Sequence, residues 1–216
     1  MTSPVIRFPA GPVVLLGASY AKGWSLGVPG IPILNKGVEG QQTFELLERF
    51  DRDVVAAAPR AVIVWGFIND VFRAPAGGTD AALTRARDSL SRIVARAREE
   101  GIEPILATEV TARPRDNTWS EVVSGWIGRM RGKDAYQDTI NRHVLAINQW
   151  IRDQARSQRL LLLDLQPVVS DPSTNRRRKE FATPDGSHVS AAGYEALTAY
   201  AVPILTKHFA PAAPGR

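Results

Sequence analysis

The chain of 216 residues has no cysteine and only three histidines. Without thiols there is no disulfide, no thiolate metal site and no cysteine nucleophile. The absence is compatible with either redox compartment. His143, His188 and His208 lie far apart, none with a partner at ligand spacing, so neither a metal nor a cofactor is expected. No apolar run approaches the about 20 residues that a membrane-spanning helix needs. The short run 13–16 is too brief for a signal-peptide core, and no cleavage-site pattern follows it. The expectation is a cytoplasmic protein, with secretion after removal of a leader left open. Strong charge of one sign is lacking too. The net charge is +5, and no alternation of basic and aromatic residues suggests base recognition, so no nucleic-acid partner is expected.

What is present is an ordinary globular composition, 44% hydrophobic and 23% charged, enough to build one substantial core. Short apolar runs alternate with long amphipathic stretches. Strand-like runs occur at 13–16, 33–37, 61–65, 105–107 and 160–163. Helical periodicity occupies 43–58, 79–100, 136–158 and 190–209, with Thr79 as a plausible N-cap and Gly101 as a stop. Apolar strands buried on both faces and separated by helices predict a three-layer α/β/α sandwich around a parallel sheet. No linker divides 1–216, so a single domain is expected, with a frayed tail at 210–216. The stretch 111–134 breaks the pattern. It carries Trp119 and Trp126 past the end of the fourth strand, and reads as an insertion forming a substrate wall.

In such a sheet the carboxyl ends of the strands open onto one edge, where sites are built. Gly17-Ala18-Ser19-Tyr20 follows the first strand, Gly37 ends the second, and Gly66-Phe67-Ile68-Asn69-Asp70 follows the third. Asp185-Gly186-Ser187-His188 precedes the last helix. Each has a plain structural explanation: a cap for Ser19, a turn for Gly37, local backbone bonds for Asn69 and Asp70, a helix-entry loop for Asp185 and His188. Their conjunction supplies a hydroxyl, an amide side chain, an acid and an imidazole, the components of acyl transfer. A phosphate loop at Gly17–Gly23 fails because its lysine and hydroxyl positions are wrong. A Gly-x-Ser-x-Gly elbow fails because it normally falls mid-chain and would leave Asn69 and Gly37 without roles. The run Arg176-Arg177-Arg178-Lys179 reads as a solvated charged loop.

In this order and at these strand ends, the four blocks resemble the SGNH hydrolases, the GDSL esterase/lipase family, over most of the chain. The resemblance implies a five-stranded parallel sheet in flavodoxin-like order and a serine-esterase mechanism on a small-molecule ester. Ser19 would be the nucleophile, His188 the base and Asp185 its orienting acid. The Ser19 amide, the Gly37 amide and the Asn69 side chain would form the oxyanion hole. Tyr20, Trp24, Phe67, Trp119 and Trp126 are candidates for substrate contact. One departure stands out: Ala18 occupies the place where the family usually has aspartate, a carboxylate expected to anchor neighbouring loops. Its loss motivates an alternative, a catalytically weak ligand-binding or interaction protein of the same fold. Short acyl chains are expected because no long apolar lid is evident. Oligomeric state is not legible.

Overall fold

A computed structural model of the chain describes residues 11–113, 133–184 and 186–210, and only the helical backbone over 133–137. Five strands form one sheet: β1 (Val13–Gly17), β2 (Ile33–Gly37), β3 (Ala61–Trp65), β4 (Glu103–Ala107) and β5 (Leu161–Leu163). Their order is β2-β1-β3-β4-β5, and every pairing is parallel. The central strands β1 and β3 are buried along their whole length, which is why they read as unbroken apolar runs rather than alternating ones. The edge strand β2 is half-exposed, and Leu34 and Asn35 face solvent.

Helices α1 (Ser19–Gly23), α2 (Thr43–Glu48), α3 (Phe50–Asp53), α4 (Ile68–Phe72), α5 (Thr79–Glu99), α6 (Lys133–Gln158), α7 (Leu165–Val169) and α8 (Ala191–Phe209) flank the sheet. One set joins α5 to α2, α4 and α6, and another joins α8 to α7 and α1. This is the expected α/β sandwich. Ile93, Val94 and Ala97 of α5 and Val144, Ile147 and Ile151 of α6 are buried in the core with Ile63, Ile105 and Leu106 of the sheet. Each such valine, leucine or isoleucine stabilises the fold by about 1.5–3 kcal/mol.

Three expectations shift. The helical stretch 43–58 is broken into α2, α3 and a 3-10 turn at Val55–Ala57. The break falls at Arg49, whose φ and ψ of −96° and 6° leave the helix while its side chain turns inward to the ends of β1 and β2. Thr79 is the first helical residue rather than the cap, which is Gly78. The turns α1, α4 and α7, five residues each, are too short to show helical periodicity in sequence.

Candidate functional site

The carboxyl ends of β1, β2 and β3 lie side by side, and the turn after β1 meets the last loop before α8. The meeting is tight enough to dictate glycine. A Cβ on Gly17 would lie 2.0 Å from the Trp65 carbonyl oxygen and 2.6 Å from the Ala21 Cβ. Gly17 therefore lets the chain turn at once from β1 into α1 while β3 runs alongside. Ser19 is the first residue of α1 and half-buried. Its amide and hydroxyl make no hydrogen bond among the described residues, as expected for the exposed first turn of a helix.

The loop carrying His188 is closed by Thr183. The Thr183 amide and hydroxyl both donate to the His188 carbonyl, at 3.0 and 3.1 Å, while Thr183 Oγ1 also lies 3.1 Å from the His188 amide. The Gly186 amide donates to the Thr183 carbonyl at 2.8 Å, completing a turn. His188 is exposed, and its Nδ1 lies 3.0 Å from Ser187 Oγ. Asp185, the expected orienting acid, lies outside the described residues.

Tyr20 brings this loop to the Ser19 turn. Its phenol donates to the Ser187 carbonyl at 2.5 Å, and its ring stands edge-on to the His188 imidazole, with centroids 6.0 Å apart. Tyr194 of α8 donates to the Tyr20 carbonyl at 3.0 Å. The residues adjoining the candidate nucleophile and base are thus in direct contact.

Asn69 lies in the first turn of α4. Its Nδ2 donates to the Gln41 carbonyl at 2.9 Å, which leaves a second amide hydrogen. Its neighbour Asp70 is fully buried and accepts from the Thr43 amide at 2.9 Å and the Thr43 hydroxyl at 2.8 Å. Burial pushes the Asp70 carboxyl upward, against the lowering effect of those bonds.

The placement of Gly37 requires a correction. Its single amide hydrogen is given to Asn35 Oδ1 at 2.8 Å. Asn35 is held in turn, its Nδ2 donating to the Ala21 and Trp24 carbonyls at 2.7 and 3.0 Å. Gly37 is required by packing, since a Cβ there would sit 2.1 Å from the Lys22 nitrogen. Its amide is therefore not an available oxyanion donor. Gly40, three residues on, has φ of +75°, and its amide makes no hydrogen bond among the described residues. It directly precedes Gln41, whose carbonyl holds Asn69.

The aromatic candidates divide. Tyr20, Trp24 and Phe67 are 4%, 1% and 1% exposed. They pack in the core, where Trp24 stacks edge-on against Trp65 and donates to Thr198 Oγ1 at 2.9 Å. Their burial leaves little surface for a substrate, although Trp24 also lines a surface pocket with Tyr194 and Thr198. Trp119 and Trp126 lie outside the described residues. Phe72 and Val38, just past Asn69 and Gly37, are the exposed apolar side chains on these loops.

Three buried charges went unforeseen. Arg49 donates through Nη2 to the Gly17 and Lys36 carbonyls at 3.0 and 2.7 Å, and through Nε to Gln41 Oε1 at 2.6 Å. It pairs with Asp53 at 2.7 Å. Glu109, just past β4, is 1% exposed. Its Oε2 accepts from the Phe67 and Ile68 amides at 3.1 and 3.3 Å, and its Oε1 from the Val110 amide at 3.3 Å. Burial nonetheless raises its carboxyl to about 7. Arg177 is fully buried, a correction to the solvated-loop reading of 176–179. Extending the survey of strand ends to β4 would have reached Glu109. Nothing in the sequence sets Arg177 apart from Arg176 and Arg178.

Ala18 is 4% exposed beside Gly66, and the neighbouring loops are anchored by Glu109 and Arg49 instead. Among the described residues no cluster of three His, Asp or Glu could hold a metal, and no helix is long and apolar enough to cross a membrane.

A family model for the GDSL-like lipase/acylhydrolases matches residues 14–196, which takes in the sheet from the second residue of β1 onward and all the candidate loops. The chain belongs to that family. It is accordingly an ester-hydrolysing enzyme. No curated protein sequence matches the chain. Among solved structures, it is similar to a GDSL-like lipase from Bacteroides thetaiotaomicron, with TM-score 0.70 and 21% identity over 94% of this chain and 93% of that one. It is similar to a lipase/acylhydrolase from Enterococcus faecalis, with TM-score 0.65 and 22% identity over 95% and 100%. An acetyl xylan esterase from Geobacillus stearothermophilus gives TM-score 0.64 and 17% identity over 92% and 96%. At these identities the likeness speaks for the fold that GDSL-like acylhydrolases share.

Proposed function

We propose that this GDSL-family enzyme hydrolyses short-chain acyl esters through a covalent intermediate on Ser19. Ser19 Oγ attacks the ester carbonyl as its proton passes to His188. The carbonyl π-bond electrons move to oxygen, and the resulting oxyanion is met by the Ser19 amide, the Gly40 amide and the second Nδ2 hydrogen of Asn69. Collapse of the tetrahedral species breaks the ester C–O bond, and the imidazolium gives its proton to the departing alcohol. Water, deprotonated by His188, then attacks the acyl-serine, and the serine leaves with that proton. Asp185 is assigned the stabilisation of the imidazolium from its place three residues before His188.

The observation carrying this reading is the contact of Tyr20 with both Ser187 and the His188 ring. It sets the turn of the candidate nucleophile against the loop of the candidate base. The amides of Ser19 and Gly40, unengaged among the described residues, support the oxyanion assignment, since donors aimed at developing charge carry much of the catalysis in acyl transfer. Phe72 and Val38, exposed and within three residues of Asn69 and Gly40 in the chain, offer limited apolar surface, which suits a short acyl group such as acetyl. An alcohol outcompeting water would turn the same intermediate to acyl transfer.

The test is a series of p-nitrophenyl esters from acetate to palmitate, assayed with wild type and Ser19→Ala. The reading expects kcat/KM highest at two to four carbons, on the order of 10⁴-fold or more above the variant. A maximum at palmitate contradicts the acyl assignment.

A further inference from the structure

We propose that Arg177 is a positioning residue for His188, fixing from below the peptide bond that carries the imidazole. The proposal rests on the reading of His188 as the base.

The guanidinium is fully buried, and its Nη2 reaches the loop that carries His188. Nη2 donates to the Ser187 carbonyl at 3.0 Å and lies 3.4 Å from the Gly186 carbonyl, and Nε donates to the Thr111 carbonyl at 2.8 Å. Nη2 also donates to the Tyr20 phenol oxygen at 3.2 Å, and the guanidinium lies over the Tyr20 ring, 5.4 Å from its centroid. Because Tyr20 donates its own proton to the Ser187 carbonyl, that oxygen is held by two donors on separate elements. It belongs to the Ser187–His188 peptide, so its orientation sets the direction in which the His188 Cα–Cβ bond leaves the chain.

The loop's own bonds, through Thr183, close it as a turn. Among the described residues, Arg177 and Tyr20 tie it to the rest of the fold, with the Arg113 amide, which donates to the Gly186 carbonyl at 3.1 Å. The Arg177 charge also draws the buried Glu109 carboxyl down, a smaller effect than the burial that raises it. Glu109 in turn holds the Phe67 and Ile68 amides that lead to Asn69. Arg177 thus serves the loop of the base, and Glu109 the loop of the oxyanion donor. A lysine at 177 could keep the charge but not the forked set of bonds.

The test combines kinetics with direct observation of His188. Steady-state hydrolysis of p-nitrophenyl acetate is measured for Arg177→Met, Arg177→Lys and Tyr20→Phe, and the ring resonances of His188 are recorded by NMR, assigned through His188→Ala. The expected result is a fall in kcat on the order of 10²-fold for Arg177→Met, as misplacement of a catalytic group produces. Arg177→Lys falls between it and wild type, and Tyr20→Phe loses about tenfold. KM stays within about twofold throughout, and the His188 ring signals move in every variant. Should Arg177→Met fail to fold, the other two carry the comparison. His188 signals that coincide with wild type in Arg177→Lys and Tyr20→Phe overturn the proposal, whatever the rates. Full turnover by Ser19→Ala would instead sink the serine reading, while the NMR comparison would still decide the positioning role.

Discussion

Asn35 Oδ1 accepts the amide hydrogen of Gly37 at 2.8 Å. That bond separates two glycines that sequence alone does not distinguish. Gly37 serves the packing of α1 against β2, and Gly40 is left with an amide to offer. The two positions should therefore fail differently. Gly37→Ala forces a Cβ against the Lys22 backbone and should lower Tm by about 5–15 °C, a loss visible without substrate. Gly40→Ala meets the flexible end of Arg73 and strains a left-handed φ by about 1–2 kcal/mol. It should lower kcat with a smaller change in Tm. Thermal melts beside steady-state rates check the pair.

Asn69→Ala removes an amide while leaving the neighbouring Asp70–Thr43 bonds in place. The expected loss in kcat is on the order of 10²–10³-fold with KM little changed, as for removal of one oxyanion donor. A KM effect without a kcat effect would show that Asn69 binds the ground state instead.

Arg49→Met should weaken both stability and rate. The Gly17 and Lys36 carbonyls each lose a charge-assisted donor, costing about 2–4 kcal/mol together. Gln41, whose carbonyl holds Asn69, loses its own anchor. Chemical denaturation measures the first effect, and kcat on p-nitrophenyl acetate the second.

These anchors mark where the sequence stopped being readable. The strands were legible because β1 and β3 are buried on both faces and so read as apolar runs, and Ser19, Asn69 and His188 were legible because they follow strand ends or precede a helix. Arg49, Glu109 and Arg177 were not. Burial of a charged side chain depends on partners brought together by the fold, and many of these partners are backbone carbonyls and amides that leave no mark in sequence. Gly37 misled for the same reason: its engagement by Asn35 is a local geometry, while its position at a strand end is equally consistent with a donor.

Glu109 gives a pH dependence with a definite sign. Its carboxyl sits at about 7 in the folded protein, above its ordinary value near 4.5, chiefly because it is buried. Between those two pH values the folded state holds a proton that the unfolded chain releases. The stability from this group is thus full below about pH 4.5 and is lost as pH rises through about 7. Glu109→Gln mimics the protonated acid and should remove that slope. Denaturation of both proteins from pH 4.5 to 8 should show the difference changing by about 3 kcal/mol in favour of the variant. A constant difference would mean Glu109 does not titrate in this range.

The most direct measurement is covalent. A fluorophosphonate probe reacts with a hydroxyl that a neighbouring base has activated, and peptide mass spectrometry locates the adduct. The account predicts one phosphonylated residue, Ser19, with labelling abolished in Ser19→Ala and strongly slowed in His188→Ala. An adduct on any other serine, or undiminished labelling of Ser19→Ala, would contradict it.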